Sequence, residues 1–268
     1  MKWGITCFFE DRKEFAAISD LAPRYPIEYI EMRGERPFFS PEDLTPSDLK
    51  FFKDIIEKSG LKVTVHATFY DINLATINSY LRKANMECYR KFLDLSGELG
   101  AEVMVVHAGY LHRDASGIPA LLDNAKNNLV ENLKILGDYG LKKNVKIGLE
   151  NSPPNRNTLM IADWNNHLEI LGRVNHPNVG ALLDTAHAYL HGLDLNAYYQ
   201  KIRPHLVEIH AHNNNGKEDE HLGMNRGTID YVTFFKENQI SVPVIMEIRN
   251  FVEAAESMEW IRQFEEVP

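Results

Sequence analysis

Continuous apolar runs recur along the chain, and each has the length of a short β-strand. They predict eight strands, at Trp3–Phe8, Ile27–Met32, Lys62–His66, Glu102–His107, Val145–Glu150, Val179–Asp184, Leu206–His210 and Val244–Glu247. The runs show little alternation of polar and apolar residues, which is the pattern of strands that are buried on both faces. Such strands are typical of a parallel sheet that helices cover.

Amphipathic stretches lie between these runs. Leu49, Phe52, Ile55 and Ile56 keep helical spacing, and Gly60 follows where a helix C-cap is expected. Eight strands that alternate with helices predict an α/β fold, the (β/α)₈ TIM barrel, which needs about 250 residues. We expect one such domain over residues 1–268. A doubly wound sheet is the alternative, but no G-x-G-x-x-G motif follows the first strand.

Composition and charge narrow the classes of function. Hydrophobic residues make up 44% and charged residues 25% of the chain, which excludes a disordered protein. The net charge of −9 argues against nucleic acid as the main partner. No apolar run reaches the ~18–20 residues of a membrane span, and Glu10 comes too early for a signal peptide. With two cysteines and no disulfide framework, we expect a cytoplasmic protein, and a homo-oligomer is compatible with the sequence.

Six consecutive predicted strands end in a residue type that binds metal ions. These residues are His66, His107, Glu150, Asp184, His210 and Glu247. The carboxyl ends of all strands of a TIM barrel meet at one end, where active sites lie. Buried carboxylates without a partner are costly, so a shared cation explains the pattern. Mixed histidine and carboxylate ligands suit Zn²⁺, Mn²⁺, Co²⁺ or Fe²⁺ and contain too much nitrogen for Ca²⁺.

Each of these residues also has a simpler explanation when it is taken alone. A single histidine at a strand end is usually a hydrogen-bonded residue, and Glu247 has Arg249 close by for an ion pair. Three further residues, His187, Asp219 and His221, are candidates for additional ligands. The last two belong to a long polar loop over residues 210–227, and long ordered loops on barrels usually carry function. The acidic run of this loop equally fits a solvated surface.

The loop after the third predicted strand is aromatic. We expect Phe69 and Tyr70 either to cover a small substrate or to pack on the barrel rim. Together with the basic residues Lys217, Arg226 and Arg249, they form our predicted substrate-binding set. The remaining histidines are expected at the surface: His112, His167, His176, His191 and His205.

Several of these segments resemble the xylose-isomerase-like TIM barrels. The segments are HATFYDINLA at 66–75, VHAG at 106–109, LEN at 149–151, LDTAH at 183–187 and DEHLGMNRGTID at 219–230. The resemblance extends over essentially the whole chain. That superfamily contains sugar-phosphate isomerases and epimerases, keto-sugar 3-epimerases, enzymes of inositol catabolism and endonuclease IV.

The ketose epimerases imply one set of roles. In them Glu, Asp, His and Glu from strands five to eight hold one Mn²⁺ or Co²⁺, a pattern that falls on Glu150, Asp184, His210 and Glu247. The two glutamates exchange the substrate proton, and the histidine that matches His187 contacts the sugar. The resemblance thus implies a metal-dependent sugar or sugar-phosphate isomerase or epimerase that works through an enediolate.

Endonuclease IV implies an alternative, a metal-dependent phosphodiesterase that acts on abasic-site DNA. Its three-zinc cluster uses nine ligands, which match His66, His107, Glu150, Asp184, His187, His210, Asp219, His221 and Glu247. The chain departs from endonuclease IV at Phe69, where a DNA-contacting tyrosine is expected, and it lacks an obvious basic loop for DNA. A third alternative, a non-catalytic sugar-binding barrel, is disfavoured by the intact carboxylates. We expect one to three ions, the second held by His66, His107 and Glu150.

Overall fold

The computed structural model describes residues 1–7, 12–36 and 39–265. The strands are β1 (Lys2–Cys7), β2 (Ile27–Arg33), β3 (Lys62–His66), β4 (Val103–His107), β5 (Tyr110–Leu111), β6 (Lys146–Glu150), β7 (Thr158–Leu159), β8 (Val179–Asp184), β9 (Leu206–Ala211) and β10 (Pro243–Met246). Eight of them form a closed parallel barrel in the order β1-β10-β9-β8-β6-β4-β3-β2. The predicted TIM barrel is therefore confirmed.

Helices surround the barrel and follow its strands along the chain. They are α1 (Arg12–Leu21), α2 (Pro46–Ser59), α3 (Ser79–Leu99), α4 (Pro119–Lys143), α5 (Trp164–Val174), α6 (Thr185–Leu190), α7 (Leu195–Ile202), α8 (Tyr231–Glu237) and α9 (Phe251–Glu265). Helix α2 shows why these segments are helical: Thr45 and Asp48 form a capping box at its start, and Gly60 ends it with a φ of 68°. No described helix is long and apolar enough to cross a membrane.

The strand ends differ slightly from the sequence prediction. Strand β9 continues one residue beyond His210, and β10 ends at Met246, so Glu247 directly follows the strand. The predicted end of the first strand, Phe8, lies outside the described residues. A short antiparallel pair was not predicted: β5 pairs with β7 and joins the loops that follow β4 and β6. Its strands have two residues each, too few for a recognisable period.

Alternation along the strands arranges the barrel interior in layers. Residues two apart on a strand point to the same face, so a candidate ligand at a strand end lies above another inward residue of its own strand. Below His66 and His210 these residues are Thr64 and Glu208, both fully buried. A small apolar group closes the interior further down, formed by Val103, Val105, Leu182 and Val207. The polar residues of the barrel are therefore concentrated in its upper half, towards the carboxyl ends of the strands.

Two helical glycines give a test of how closely the helices pack on the barrel. A Cβ added at Gly140, in α4, would lie 2.5 Å from the backbone oxygen of Val145, whereas one at Gly172, in α5, meets nothing within 4 Å. We expect Gly140→Ala to lower the free energy of unfolding by about 1–3 kcal/mol. The matched control Gly172→Ala should leave it unchanged or raise it by up to about 1 kcal/mol. Urea unfolding measures both, and equal effects would contradict this packing.

Candidate metal centre

The candidate ligands converge at the carboxyl ends of the strands. Glu150, Asp184, His210 and Glu247 each place one ligand atom within 4.8 Å of the others, and all four side chains are buried. A second group of the same kind is formed by His66, His107 and Glu150. Glu150 belongs to both groups, as expected for a carboxylate between two neighbouring positions.

The carboxylate of Glu150 lies at the centre of this cluster. Its Oε2 is 2.9 Å from His107 Nε2 and 3.3 Å from His66 Nε2, and its Oε1 is 3.4 Å from His187 Nδ1. Despite this proximity, neither oxygen has a hydrogen bond of acceptable geometry within the described part of the chain. Burial by itself raises the pKa of Glu150, but the histidines, His107 foremost, lower it well below its usual range. The carboxylate is thus ionised and surrounded by imidazoles.

Three of the histidines are held in one orientation by the backbone. Each has its Nδ1 atom 2.8 Å from a carbonyl oxygen, the pairs being His66 with Ala67, His187 with Asn151 and His221 with Glu247. A carbonyl oxygen only accepts, so Nδ1 carries the proton in each ring. The other nitrogen, Nε2, faces a carboxylate oxygen at 3.2–3.3 Å. This is the arrangement that orients histidines as metal ligands.

The histidines of the cluster carry protons that a bound cation would replace. Burial lowers the pKa of His66, but contact with Glu150 outweighs it and raises the pKa to about 9. The pKa values of His187 and His210 also lie well above their usual range, because nearby carboxylates outweigh burial there as well. The charge of the carboxylates is therefore balanced by protons on the imidazoles. A divalent cation would displace those protons and bind the same groups.

Asp219 brings together the candidates from the long polar loop. Its Oδ2 is 3.2 Å from His187 Nε2 and 3.3 Å from His221 Nε2. Burial raises the pKa of Asp219, but hydrogen bonds from these two histidines outweigh it and lower the pKa far below its usual range. The loop thus reaches the cluster through Asp219, whereas its neighbour Glu218 is exposed.

His212 is a member of the cluster that the sequence analysis missed. Its Nε2 is 3.2 Å from Asp184 Oδ2, and its ring stacks on that of His221 with centroids 3.9 Å apart. The signal was present, because His212 lies two residues after His210 and so shares its face of the extended chain. The prediction ended the strand at His210 and assigned the next residues to a loop.

Two further buried carboxylates were missed below the cluster, Glu31 on β2 and Glu208 on β9. Glu31 Oε2 is 3.0 Å and Glu208 Oε1 is 3.3 Å from His210 Nε2. Burial raises the pKa of Glu208 to about 8. Both glutamates lie inside apolar runs, where a polar residue at an inward position is itself a signal of an unusual barrel interior.

The aromatic candidates lie at different depths. Phe69 stacks on His107, with ring centroids 4.7 Å apart and planes 9° apart, and the guanidinium of Arg33 lies 5.4 Å from its centroid. Phe69 thus packs directly against the cluster. Tyr70 is 59% exposed and lies at the rim.

The basic candidates do not gather at the cluster. Arg226 pairs with Glu253 and Glu256 of α9, and Lys217 is exposed. Arg249 donates to the backbone oxygen of Asp219 at 3.4 Å, which is a different partner from the Glu247 carboxylate considered above. Of the three, Arg249 is therefore the one in contact with a residue of the cluster.

His167 corrects the expectation that the remaining histidines lie at the surface. It is fully buried on the inner side of α5, with its Nε2 2.8 Å from the backbone oxygen of Leu149 and its Nδ1 3.2 Å from the Tyr198 hydroxyl. Burial lowers the pKa of His167 to about 4, so the ring is neutral. The prediction was wrong because His167 lies one turn before Ile170 and Leu171, on the apolar face that packs on the barrel. His167 thereby supports the strand residue next to Glu150.

With this geometry established, comparison with known proteins assigns the family. Residues 20–264 match the model of the xylose isomerase-like TIM barrels. The chain belongs to that family.

Three relatives illustrate its range. An uncharacterized protein of Methanocaldococcus jannaschii is 33% identical over 230 residues, which cover 84% of this chain and 77% of that protein. A probable endonuclease 4 of Thermoplasma acidophilum is 27% identical over 228 residues, 78% of this chain and 75% of that one. The crystal structure of a D-tagatose 3-epimerase-like protein superposes with a TM-score of 0.87 at 26% identity, covering 100% of this chain and 98% of that one.

His167 yields a test of the scaffold below the cluster. Because its pKa is about 4 in the folded protein and about 6.5 in the unfolded chain, the unfolded state takes up a proton first as the pH falls. The contribution of neutral His167 to the free energy of unfolding is complete above about pH 6.5 and is lost as the pH falls towards 4. Between pH 7 and pH 5, the free energy of unfolding should fall by about 2 kcal/mol more in the wild type than in His167→Gln.

Urea unfolding at both pH values, in the presence of a chelator, measures this difference. His112→Gln, at an exposed position, is the control and should keep the pH dependence of the wild type. An equal loss in the wild type and in His167→Gln would contradict a buried, neutral His167.

Proposed function

We propose that this chain is a divalent-metal-dependent isomerase or epimerase of a sugar or sugar phosphate. The observation that carries the proposal is the buried group of Glu150, Asp184, His210 and Glu247, in which two glutamates approach one imidazole. Glu150 Oε1 is 3.6 Å and Glu247 Oε2 is 3.5 Å from His210 Nδ1. Similarity to a D-tagatose 3-epimerase-like protein supports the same class of reaction.

The chemistry of the donor set fits a divalent cation. Both oxygens of Glu150 and the Nδ1 of His210 are buried and have no hydrogen-bond partner among the described residues. Such atoms are costly to bury unless another group satisfies them. Carboxylate oxygens and imidazole nitrogens in this mixture suit Mn²⁺, Zn²⁺ or Co²⁺.

We propose one to three ions. The first would be held by Glu150, Asp184, His210 and Glu247, and the second by His66, His107 and Glu150. The third would be held by His187, Asp219 and His221, which already meet at the Asp219 carboxylate. When bound, a divalent cation supplies Lewis-acid stabilisation of negative charge on a substrate oxygen.

The two glutamates are the proposed acid–base pair. The pKa of Glu247 is lowered well below its usual range, because His210 and other histidines outweigh the effect of burial, as at Glu150. Ionised carboxylates accept protons, so one glutamate would remove the proton beside the substrate carbonyl. The other glutamate, once it has taken up a proton from solvent, would deliver that proton to the opposite face. His187, on the same side of the cluster as Glu150, is proposed to contact the sugar.

Substrate binding is proposed at the rim around this group. Phe69 provides an apolar surface next to His107, and Tyr70 extends that surface outward. Lys217 and Arg249 would meet polar or anionic groups of the substrate. Arg226 would have to leave Glu253 and Glu256 to do so. We expect a small cytoplasmic substrate and no membrane partner.

An endonuclease IV-like phosphodiesterase is the second candidate. One specific observation favours it: all nine matched ligand types gather in one region, with Asp219 and His221 included. The net charge of −9 opposes it, because binding to DNA rests largely on basic contacts with phosphates. We therefore rank the sugar substrate first.

A direct comparison of substrates tests the proposal. Protein loaded with Mn²⁺, Co²⁺ or Zn²⁺ is assayed on a panel of ketoses and their phosphates and on an abasic-site duplex. We expect epimerisation or isomerisation of at least one sugar and no cleavage of the duplex. Metal-dependent cleavage of the duplex without turnover of any sugar would reverse the ranking of the two enzymes.

Substitution of the two glutamates tests their role as proton carriers. Glu150→Gln and Glu247→Gln should each lower kcat by at least about 10²–10⁴-fold, which is the usual contribution of an acid or base. Metal content must be measured for each variant, because the same residues are proposed ligands. Glu28→Gln, at an exposed position on β2, is the control and should retain full activity. A metal-loaded Gln variant with wild-type turnover would remove that glutamate from the mechanism.

A further inference from the structure

The floor carboxylates, Glu31 and Glu208, lie directly beneath the proposed ligand His210. They come from different strands, and both are fully buried. Both approach the same atom, His210 Nε2, with Glu31 at 3.0 Å and Glu208 at 3.3 Å. Burying two carboxylates in a barrel interior is costly, and an apolar pair of similar volume is often the more stable choice. Stability alone therefore does not account for them.

Glu31 is held in place for its contact with His210. The Thr6 hydroxyl donates to Glu31 Oε1 at 2.7 Å, which leaves Oε2 to accept from His210 Nε2. Glu208 is anchored less well, because its Oε2 has no hydrogen-bond partner within the described part of the chain. The shorter, better supported contact is thus the one with Glu31.

The contact with Glu31 decides which nitrogen of His210 carries a lone pair. A carboxylate oxygen accepts, so Nε2 is the protonated nitrogen of the neutral ring. When a cation displaces the second proton of the ring, the lone pair is therefore on Nδ1. This atom is buried, has no hydrogen-bond partner among the described residues, and faces Glu150 and Glu247. In His66, His187 and His221 a backbone carbonyl fixes the opposite tautomer, with the proton on Nδ1, whereas in His210 side-chain carboxylates fix the ring.

We infer that Glu31 is a positioning residue, which orients His210 so that its Nδ1 lone pair points to the divalent cation held with Glu150, Asp184 and Glu247. The inference rests on the proposed metal site but adds a residue outside its ligands. Glu31 acts through the His210 ring alone and touches neither the cation nor the substrate. Removal of a carboxylate that orients a ligating histidine typically weakens metal binding about 10–100-fold.

Zinc affinity of three variants tests the inference. Glu31→Leu removes the acceptor, Glu31→Gln removes the charge but keeps an amide oxygen that can accept, and Thr64→Val changes a buried hydroxyl of the same layer that has no described partner. Competition with a chromophoric chelator should show Zn²⁺ affinity about 10–100-fold weaker in Glu31→Leu. The loss in Glu31→Gln should be smaller, and Thr64→Val should match the wild type.

Nitrogen-15 NMR of labelled histidines in the Zn²⁺-loaded wild type gives a readout that does not depend on the Glu31 variants folding. His210, assigned by comparison with His210→Asn, should carry its proton on Nε2. A proton on Nδ1 would overturn the inference, as would equal affinity losses in Glu31→Leu and Glu31→Gln or wild-type affinity in Glu31→Leu. A wild type that binds no zinc, manganese or cobalt would instead refute the proposed metal site itself.

Discussion

The structure depends on an energetically costly arrangement, the burial of several carboxylates at the carboxyl ends of the barrel strands. Glu150 is 1% exposed and Asp184 is fully buried, and both face the same small volume as Glu247. Ionised groups there are tolerated only with opposite charges close by. The imidazoles that surround Glu150 provide positive charge when they are protonated. A single divalent cation would provide the same charge at one point. The backbone carbonyls that fix His66, His187 and His221 belong to the same arrangement.

The sequence predicted the barrel and much of the cluster because both follow from one repeated pattern. An apolar run that ends in His, Asp or Glu predicts a strand whose last side chain lies at the carboxyl end of the barrel, where active sites lie. The pattern found His107 and Asp184 but not His212, which lies beyond the predicted strand end. It also missed Glu31, because a polar residue within an apolar run gives no indication of the partner that it meets across the barrel. Such cross-strand contacts depend on register, which the sequence does not state.

The same layered interior explains why the fold alone leaves two chemistries open. The upper layer contains buried carboxylates and imidazoles, a donor set that either proposed chemistry could use, so the difference must lie in the loops and at the surface. Here the loops contribute an aromatic face at Phe69 and an inward-facing Asp219, while the chain as a whole is acidic. A small polyhydroxylated substrate fits these features better than a polyanion does. The role that we infer for Glu31, beneath His210, would add a contribution to metal binding that lies outside the ligands themselves.

The central claim is that the buried carboxylates and imidazoles form a metal site, and anomalous diffraction tests it most directly. Crystals of the wild type are grown with excess Mn²⁺, and data are collected on both sides of the manganese absorption edge. The account predicts a strong anomalous peak at the point shared by Glu150, Asp184, His210 and Glu247, with ligand distances of about 2.0–2.3 Å. Well-ordered crystals with these side chains in place and no anomalous peak among them would contradict it.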